Sequence, residues 1–316
     1  MRVVDRILRL PELEAAPPVL VDIGAAQGMH PPWRRIAKYS VCVAFEADTR
    51  ELESVTRSAA GFRRLTTYNC IAAERPSDAE PFYLTASPFC SSRLRPRLDA
   101  LACYAFAPLF RVERTVDVRA RDVASALAEL ELDHVDWLKI DSQGTDLRLL
   151  RSLGAELTRK ALVVELEPGI IDAYEGEDRL EDVLAEMHTR GFWVSDLTVQ
   201  GSTRVDSDLA RRALGERATR YLDACHKTAP GWVEVEYFND FADDEAFGRR
   251  ELLLGYAFAL LRGHYAFALE LAAKGRARFG APFEELERTA LRRVRAGFVR
   301  FPLAAFGALG ARVARR

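Results

Sequence analysis

Five side chains stand where chemistry could be done: Asp22, Glu46, Asp141 and Glu167, each in or at the end of a short apolar run, and Lys139, two residues before Asp141. A carboxylate in such a place can take a proton, accept hydrogen bonds from hydroxyls or hold a hard cation. Asp22 opens the pattern Asp22-x-Gly24-x-x-x-Gly28, with Ala25 and Ala26 between the glycines. Glycines let a backbone turn sharply and approach a ligand closely. Glu46 and Asp48 close the next apolar run, roughly 20 residues beyond the turn, where an acid can accept both hydroxyls of an adenosine ribose. A dinucleotide site would use the same acid, so the turn must discriminate. Pyrophosphate sites favour G-x-G-x-x-G, and here Ala26 replaces the middle glycine. A cofactor without phosphates but with an amino-acid tail suits the turn better, with Asp22 organising water or the tail's ammonium. The alternative is a turn that merely connects strand to helix.

The elements that must position these groups alternate apolar runs with amphipathic stretches, the pattern of a parallel sheet covered by helices. Residues 19–23 read as a first strand buried on both faces, followed by a short helix over 33–39 opened by Pro31 and Pro32. Strands follow at 41–46 and 64–69, with a helix over 49–58 between them. Residues 70–118 break the alternation and read as an excursion, with strands at 80–85 and 112–118. The sheet resumes at 135–141, 161–166 and 192–197, with helices over 121–130, 146–153 and 179–190. Residues 232–238 alternate apolar and polar, as an antiparallel edge strand would. Beyond residue 242 the pattern is helical, with a hairpin of 246–261 and 265–279 hinged near Gly263 and a third helix from Pro282. The expected fold is α/β, a mostly parallel Rossmann-like sheet with an antiparallel edge strand and a C-terminal helical appendage.

Several segments together carry a family likeness: the 22–28 turn, Phe45-Glu46-Ala47-Asp48, Asn69-Cys70-Ile71-Ala72 and Pro88-Phe89-Cys90-Ser91-Ser92. Then come Asp136-Trp137-Leu138-Lys139-Ile140-Asp141-Ser142-Gln143-Gly144-Thr145-Asp146, Val163-Val164-Glu165-Leu166-Glu167 and Tyr174-Glu175-Gly176. The chain resembles the FkbM-type O-methyltransferases over roughly residues 19–200, a family that methylates hydroxyls of secondary metabolites and bacterial sugars. The family usually carries glutamates on the turn after Asp141, where this chain has Gln143 and Asp146. The resemblance implies a class I methyltransferase domain over 1–242, including the 70–118 excursion, and an appendage at 243–316. It implies S-adenosylmethionine as cofactor, held by Asp22, Gly24, Ala25, Gly28, Glu46, Asp48, Asn69 and Ala72.

Methyl transfer to a weakly acidic hydroxyl calls for alignment and a positioned base or cation. Asp141 is the candidate base, and Glu167 a second carboxylate or, with Asp141, a ligand for a divalent cation such as magnesium. Lys139 would orient Asp141 or the substrate. The plainer readings are a helix N-cap for Asp141, a solvated strand end for Glu167 and an ion pair with Asp141 for Lys139. His30 and His134 could also act as bases, but no histidine has a partner at metal-ligand spacing. A cofactor-binding protein without catalysis and a nicotinamide-dependent oxidoreductase are the competing classes.

The acceptor implied is a hydroxyl-bearing small molecule or glycan. A net charge of −2 argues against a nucleic-acid partner, and five scattered cysteines read as reduced thiols of a cytoplasmic protein. From residue 288 to the end there are eight arginines and no acid, interleaved with Phe298, Phe301, Phe306 and Leu309. That end could lie on an anionic membrane surface, the inner face of the cytoplasmic membrane; it could equally pack on the domain or join an oligomer.

Overall fold

The computed structural model describes residues 2–26 and 28–313. Gln27 of the glycine turn and Arg315 and Arg316 of the basic end lie outside the described residues, as do the side chains from 299 onward, among them Phe301, Phe306 and Leu309. The chain divides into two compact units, Pro17–Ala242 and a unit made of Met1–Ala16 with Asp243–Arg316.

The larger unit is built on ten strands: β1 (Val19–Ile23), β2 (Val41–Phe45), β3 (Arg64–Tyr68), β4 (Ile71–Ala73), β5 (Ser77–Thr85), β6 (Val112–Asp122), β7 (Trp137–Ile140), β8 (Val163–Leu166), β9 (Phe192–Ser202) and β10 (Ala229–Asn239). Seven form one sheet in the order β3-β2-β1-β7-β8-β10-β9. Every residue of β1 and β2 is buried, which is why neither run shows polar alternation. Pairing is parallel from β3 through β8, while β10 runs antiparallel to both β8 and β9. The alternating segment around 232–238 is therefore antiparallel, as expected, but lies inside the sheet. The edge is β9, whose Val194, Leu197 and Val199 are exposed.

The 70–118 excursion folds as a second sheet of order β4-β6-β5 with its own small core of Ile71, Ala73, Phe82, Leu84 and Ala120. The helix expected over 33–39 is two 3-10 turns, Pro31–Arg35 and Ala37–Tyr39; the two prolines start it but the run is too short to continue.

The smaller unit is helical: Arg2–Ile7, Pro11–Ala15, Arg249–Arg262, Tyr265–Phe279 and Phe283–Val313. Gly263 ends the first long helix at φ +83°, a left-handed cap that glycine adopts without strain. The first sixteen residues belong to this unit and not to the 1–242 domain that the resemblance implies. Side-chain contacts explain why: Arg250 donates to the Ala16 carbonyl at 2.9 Å, Arg249 pairs with Glu12 at 2.6 Å and Arg6 with Glu285 at 2.8 Å. Among the described residues, no helix is long and apolar enough to cross a membrane.

Candidate active site

Strands β1 and β7 are neighbours although the chain builds β2 and β3 between them, so the strand order reverses at that pair. Open α/β sheets bind ligands in the crevice outside the strand ends at such a reversal. Gly24 leaves β1 there, and Asp141 leaves β7 beside it, donating its backbone N–H to the Ile23 carbonyl at 2.9 Å. Gly24 sits at φ +74°, and a Cβ on it would lie 1.9 Å from the Asp141 carbonyl oxygen. Only glycine fits. The N–H groups of Gly24 and Ala25 both donate to the Phe45 carbonyl, at 3.0 and 3.2 Å. Gly28, at φ +81°, donates to the Ala25 carbonyl at 3.3 Å.

Below this turn runs a row of charges across three adjacent strands. The register puts Asp22 opposite Lys139 and Lys139 opposite Glu165. Lys139 Nζ donates to Asp22 Oδ1 at 3.0 Å and to the Gly24 carbonyl at 3.3 Å. Burial alone would lower the Lys139 ammonium, but the charges of Asp22 and Asp141 outweigh it and hold Lys139 above its usual range. Lys139 is thus an ion-pair partner of Asp22 and ties down the cofactor turn; its pairing with Asp141 is not the one formed. Asp22, correspondingly, faces Lys139 through Oδ1. Glu165 accepts from Trp137 Nε1 at 2.5 Å and lies 3.0 Å from His30 Nε2. His30, plain in the sequence, therefore anchors the far end of the turn. Its signal is invisible without the sheet register.

Glu46 is buried, and burial pushes its carboxyl up to about 7. One oxygen accepts the Asp48 backbone N–H at 2.8 Å. Asn69 holds the same strand end by donating to the Glu46 carbonyl at 2.8 Å. Asp48 lines a cleft together with Glu46, and Arg50 engages both its carboxylate oxygens, with Nε at 2.9 and 3.0 Å. Ala72 lines a small hollow with Gly24, Glu46 and Asp141.

The helix after β7, Asp146–Ser152, has Thr145 at its N-cap. Asp141 is therefore not a helix cap, and its side chain has other partners. Gln143, held at φ +56°, donates from Nε2 to Asp141 Oδ1 at 2.6 Å and accepts the Tyr174 hydroxyl at 2.9 Å. A non-glycine residue at such a φ is strained, and strain of this kind persists where neighbours fix it. Asp146, fully buried, accepts from Ser142 N–H at 3.0 Å, Ser142 Oγ at 2.5 Å and the Glu167 N–H at 2.6 Å. Burial pushes Asp146 up to about 6. It clamps the ends of β7 and β8 together, so the two non-glutamate replacements on this turn are both in use. Glu167 is brought against Asp141. Burial first, then the charge of Asp141 and a hydrogen bond with it, push the Glu167 carboxyl well above its usual value.

A cleft of about 420 Å³ opens on these groups. Gly24, Glu46, Asp141 and Glu167 line it together with Phe106, Phe110, Trp232 and Tyr174. Phe106 stacks on Trp232 at 6.0 Å and meets Phe110 edge-on at 5.0 Å. Among the described residues, no group of three or more His, Cys, Asp or Glu side chains is arranged to hold a metal.

The strand order, the glycine turn at its reversal and the buried acid after β2 fit an S-adenosylmethionine-dependent methyltransferase. The sequence matches the family described as Methyltransferase FkbM domain over residues 22–194, and the chain belongs to that family. No curated protein matches it. Among solved structures it is similar to a precorrin-6y C5,15-methyltransferase from Geobacter metallireducens GS-15, at 12% identity over 75% of this chain and 86% of that one, with a TM-score of 0.35. It is similar to magnesium protoporphyrin IX methyltransferase from Synechocystis PCC 6803 with bound S-adenosylmethionine, at 10% identity over 75% and 78%, TM-score 0.31. Human methyltransferase-like protein 13 in complex with SAH gives 15% identity over 83% and 90%, TM-score 0.30. Likenesses this distant bear nothing on the chemistry, which is read from the chain's own side chains.

Proposed function

We propose that the chain methylates a hydroxyl of a sugar or similar small acceptor, with Asp141 as the base. The observation that carries this reading is the Asp141–Glu167 pair. It lies beside Gly24 and Glu46 at the reversal of the sheet and opens into an aromatic-walled cleft. S-adenosylmethionine, when bound, supplies a methyl group on a sulfonium, which an oxygen nucleophile displaces in line. The rigid Gly24 turn and the incompletely paired Glu46 carboxylate fit its adenosine half. Glu46 would accept the ribose hydroxyls, and the 24–28 turn would carry the amino-acid tail. Two close carboxyls do not both ionise. Burial and the Asp141 charge raise Glu167, so Glu167 would keep the shared proton, while Asp141, its Oδ1 held by Gln143, would meet the acceptor. The bond to the acceptor oxygen would form as the methyl carbon–sulfur bond breaks, leaving S-adenosylhomocysteine, and Asp141 would take the hydroxyl proton. Two carboxylates can also ligate magnesium through water, and turnover with and without a chelator separates that role from a pure base.

Calorimetry with S-adenosylhomocysteine and with NAD is the first test. Binding of NAD alone would return the chain to the oxidoreductase class. A panel of sugars, assayed by mass spectrometry for methyl ethers, then decides between an active enzyme and a silent binder.

The basic end is read as a peripheral anchor for an anionic surface. Arg292, Arg293, Arg295 and Phe298 are exposed on the last helix, and each basic residue near a headgroup layer adds about 1 kcal/mol. Sedimentation with anionic liposomes should fall when these three arginines become glutamate. Unchanged sedimentation would assign the helix to packing alone.

A further inference from the structure

The cleft has a charge character that the methyl-transfer reading does not use. Six carboxyl groups line it: Glu46, Asp48, Asp141, Glu167, Glu177 and Glu234, of which Asp48 is paired with Arg50 and burial raises Glu46, Glu167 and Glu177. Among its described lining residues there is no lysine, arginine or histidine. Two arginines lie near it: Arg50 is committed to Asp48, the Thr85 carbonyl and Ser91, and Arg93, which lines the adjoining hollow, pairs with Glu74 and Glu80. Glu46, Asp141 and Glu167 stand at the strand-end side, where a cationic cofactor accounts for them. Glu177 and Glu234 line the cleft along with the aromatic wall. Glu177 braces the loop by accepting the Tyr174 N–H at 2.6 Å. Glu234 is exposed and accepts from Gln200 at 3.1 Å, on the same strand as Trp232.

A phosphate or carboxylate needs a guanidinium, an ammonium or several backbone donors where it binds. A sugar ring needs an apolar plane for its C–H face and acceptors for its hydroxyls; an ammonium gains from both the aromatic faces and the carboxylates. We infer that the acceptor enters this cleft as an uncharged or ammonium-bearing ring laid on the Phe106–Trp232 wall, and that anionic acceptors are excluded from it. This rests on the methyltransferase reading for the identity of the reacting end. Any phosphate or nucleotide that the natural acceptor carries must then stay outside the cleft, away from the methylated position.

Glucosamine, glucose and glucuronate share a ring and differ in charge, so they serve as probes. Saturation-transfer NMR on the full chain loaded with S-adenosylhomocysteine should rank them glucosamine first, glucose second and glucuronate last. The anion should bind at least ~10-fold more weakly than the amine, from like-charge repulsion in a partly desolvated site. Glu234→Lys, a change away from the reacting carboxylates, should narrow or reverse that order. Trp232→Ala should weaken glucosamine and glucose together. Equal binding of the three, binding of none, or an order that Glu234→Lys leaves untouched would overturn the inference. Calorimetry with S-adenosylhomocysteine, done first, keeps the two readings apart: its failure refutes the methyltransferase, while the charge order is still measured on the ligand-free chain.

Discussion

The two units bury different things. In Pro17–Ala242 the buried set includes Asp22, Glu46, Asp48, Asp136, Asp146, Glu236 and Asn239. In the helical unit it is mostly hydrocarbon, with Leu252, Leu253, Leu254, Phe258, Leu271 and Phe283, and its described buried side chains include no charged group; the Tyr256 hydroxyl donates to the Leu286 carbonyl at 2.9 Å and Thr289 is also buried. Gly275 lets the helices close, since a Cβ there would meet the Phe283 ring at 2.3 Å. Burying a charge costs free energy unless it is paired, and apolar packing involves no such cost. The larger unit accepts it around the sheet reversal, which places chemistry there and only packing in the helices.

The sharpest way to break that contrast is Asp141→Asn. Turnover should fall by roughly 10²–10⁴ if a positioned base is lost, while affinity for S-adenosylhomocysteine stays within about twofold. Calorimetry and a product assay on one preparation check both halves; retained turnover would return Asp141 to a structural role. The counterpart in the helical unit is Leu254→Ala. It should lower stability by about 2–5 kcal/mol, as large-to-small core changes do, in a denaturant titration. The folded fraction should keep its cofactor affinity. Lost affinity would show that the helices serve the site.

Glu46→Ala is the intermediate case. If Glu46 accepts the ribose hydroxyls, as proposed, the change should weaken S-adenosylhomocysteine by ~1.5–3 kcal/mol. An unchanged affinity would mean that another acceptor holds the ribose.

How far the sequence discloses each region follows from where its signals lie. The glycine turn, the strand ends at Glu46 and Asp141 and the C-terminal hairpin rest on local patterns, glycine spacing and apolar periodicity, and as elements of structure were legible. The partners of Lys139, Glu165 and His30 depend on strands more than 100 residues apart in places, as with Asp22 and Lys139. Nothing local encodes that pairing. Ser207–Thr219 carries no apolar stripe to find, with Ala210 its one described buried residue, although Asp206 caps it by accepting the Leu209 N–H at 2.7 Å. The aromatic wall was hidden for a third reason. Phe106, Phe110, Tyr174 and Trp232 come from separate loops and strands, and only the fold makes them one surface. Asp48 was visible as an acid, but its pairing with Arg50, two residues on, was not.

The smallest effect is one of pH, and it comes from the buried carboxyls of the larger unit. Burial raises Glu46 and Glu177 to about 7 and Asp146 to about 6 in the folded chain. A raised carboxyl contributes stability that is fully present below its unfolded pKa, near 4.5 for Glu, and is lost as pH rises through the folded value. The ligand-free protein should therefore melt at progressively lower temperature between about pH 5 and 8. In the helical unit the shifted carboxyls go the other way: Arg6 lowers Glu285, and Lys274 lowers Asp244. Both are ionised throughout that window and contribute nothing to the slope. Cofactor binding should have the opposite sign if ribose hydroxyls donate to the ionised form of Glu46, as proposed. Below about pH 7 the affinity for S-adenosylhomocysteine should fall by nearly tenfold per unit, or about 1.4 kcal/mol, and level off above it. Melting curves with and without the ligand, from pH 5.5 to 8.5, should thus separate as pH rises. Glu46→Gln should flatten the binding profile while leaving the Glu177 and Asp146 part of the stability slope. A separation that stays constant with pH in the unaltered protein would remove Glu46 from the ribose site, whatever the outcome at Asp141.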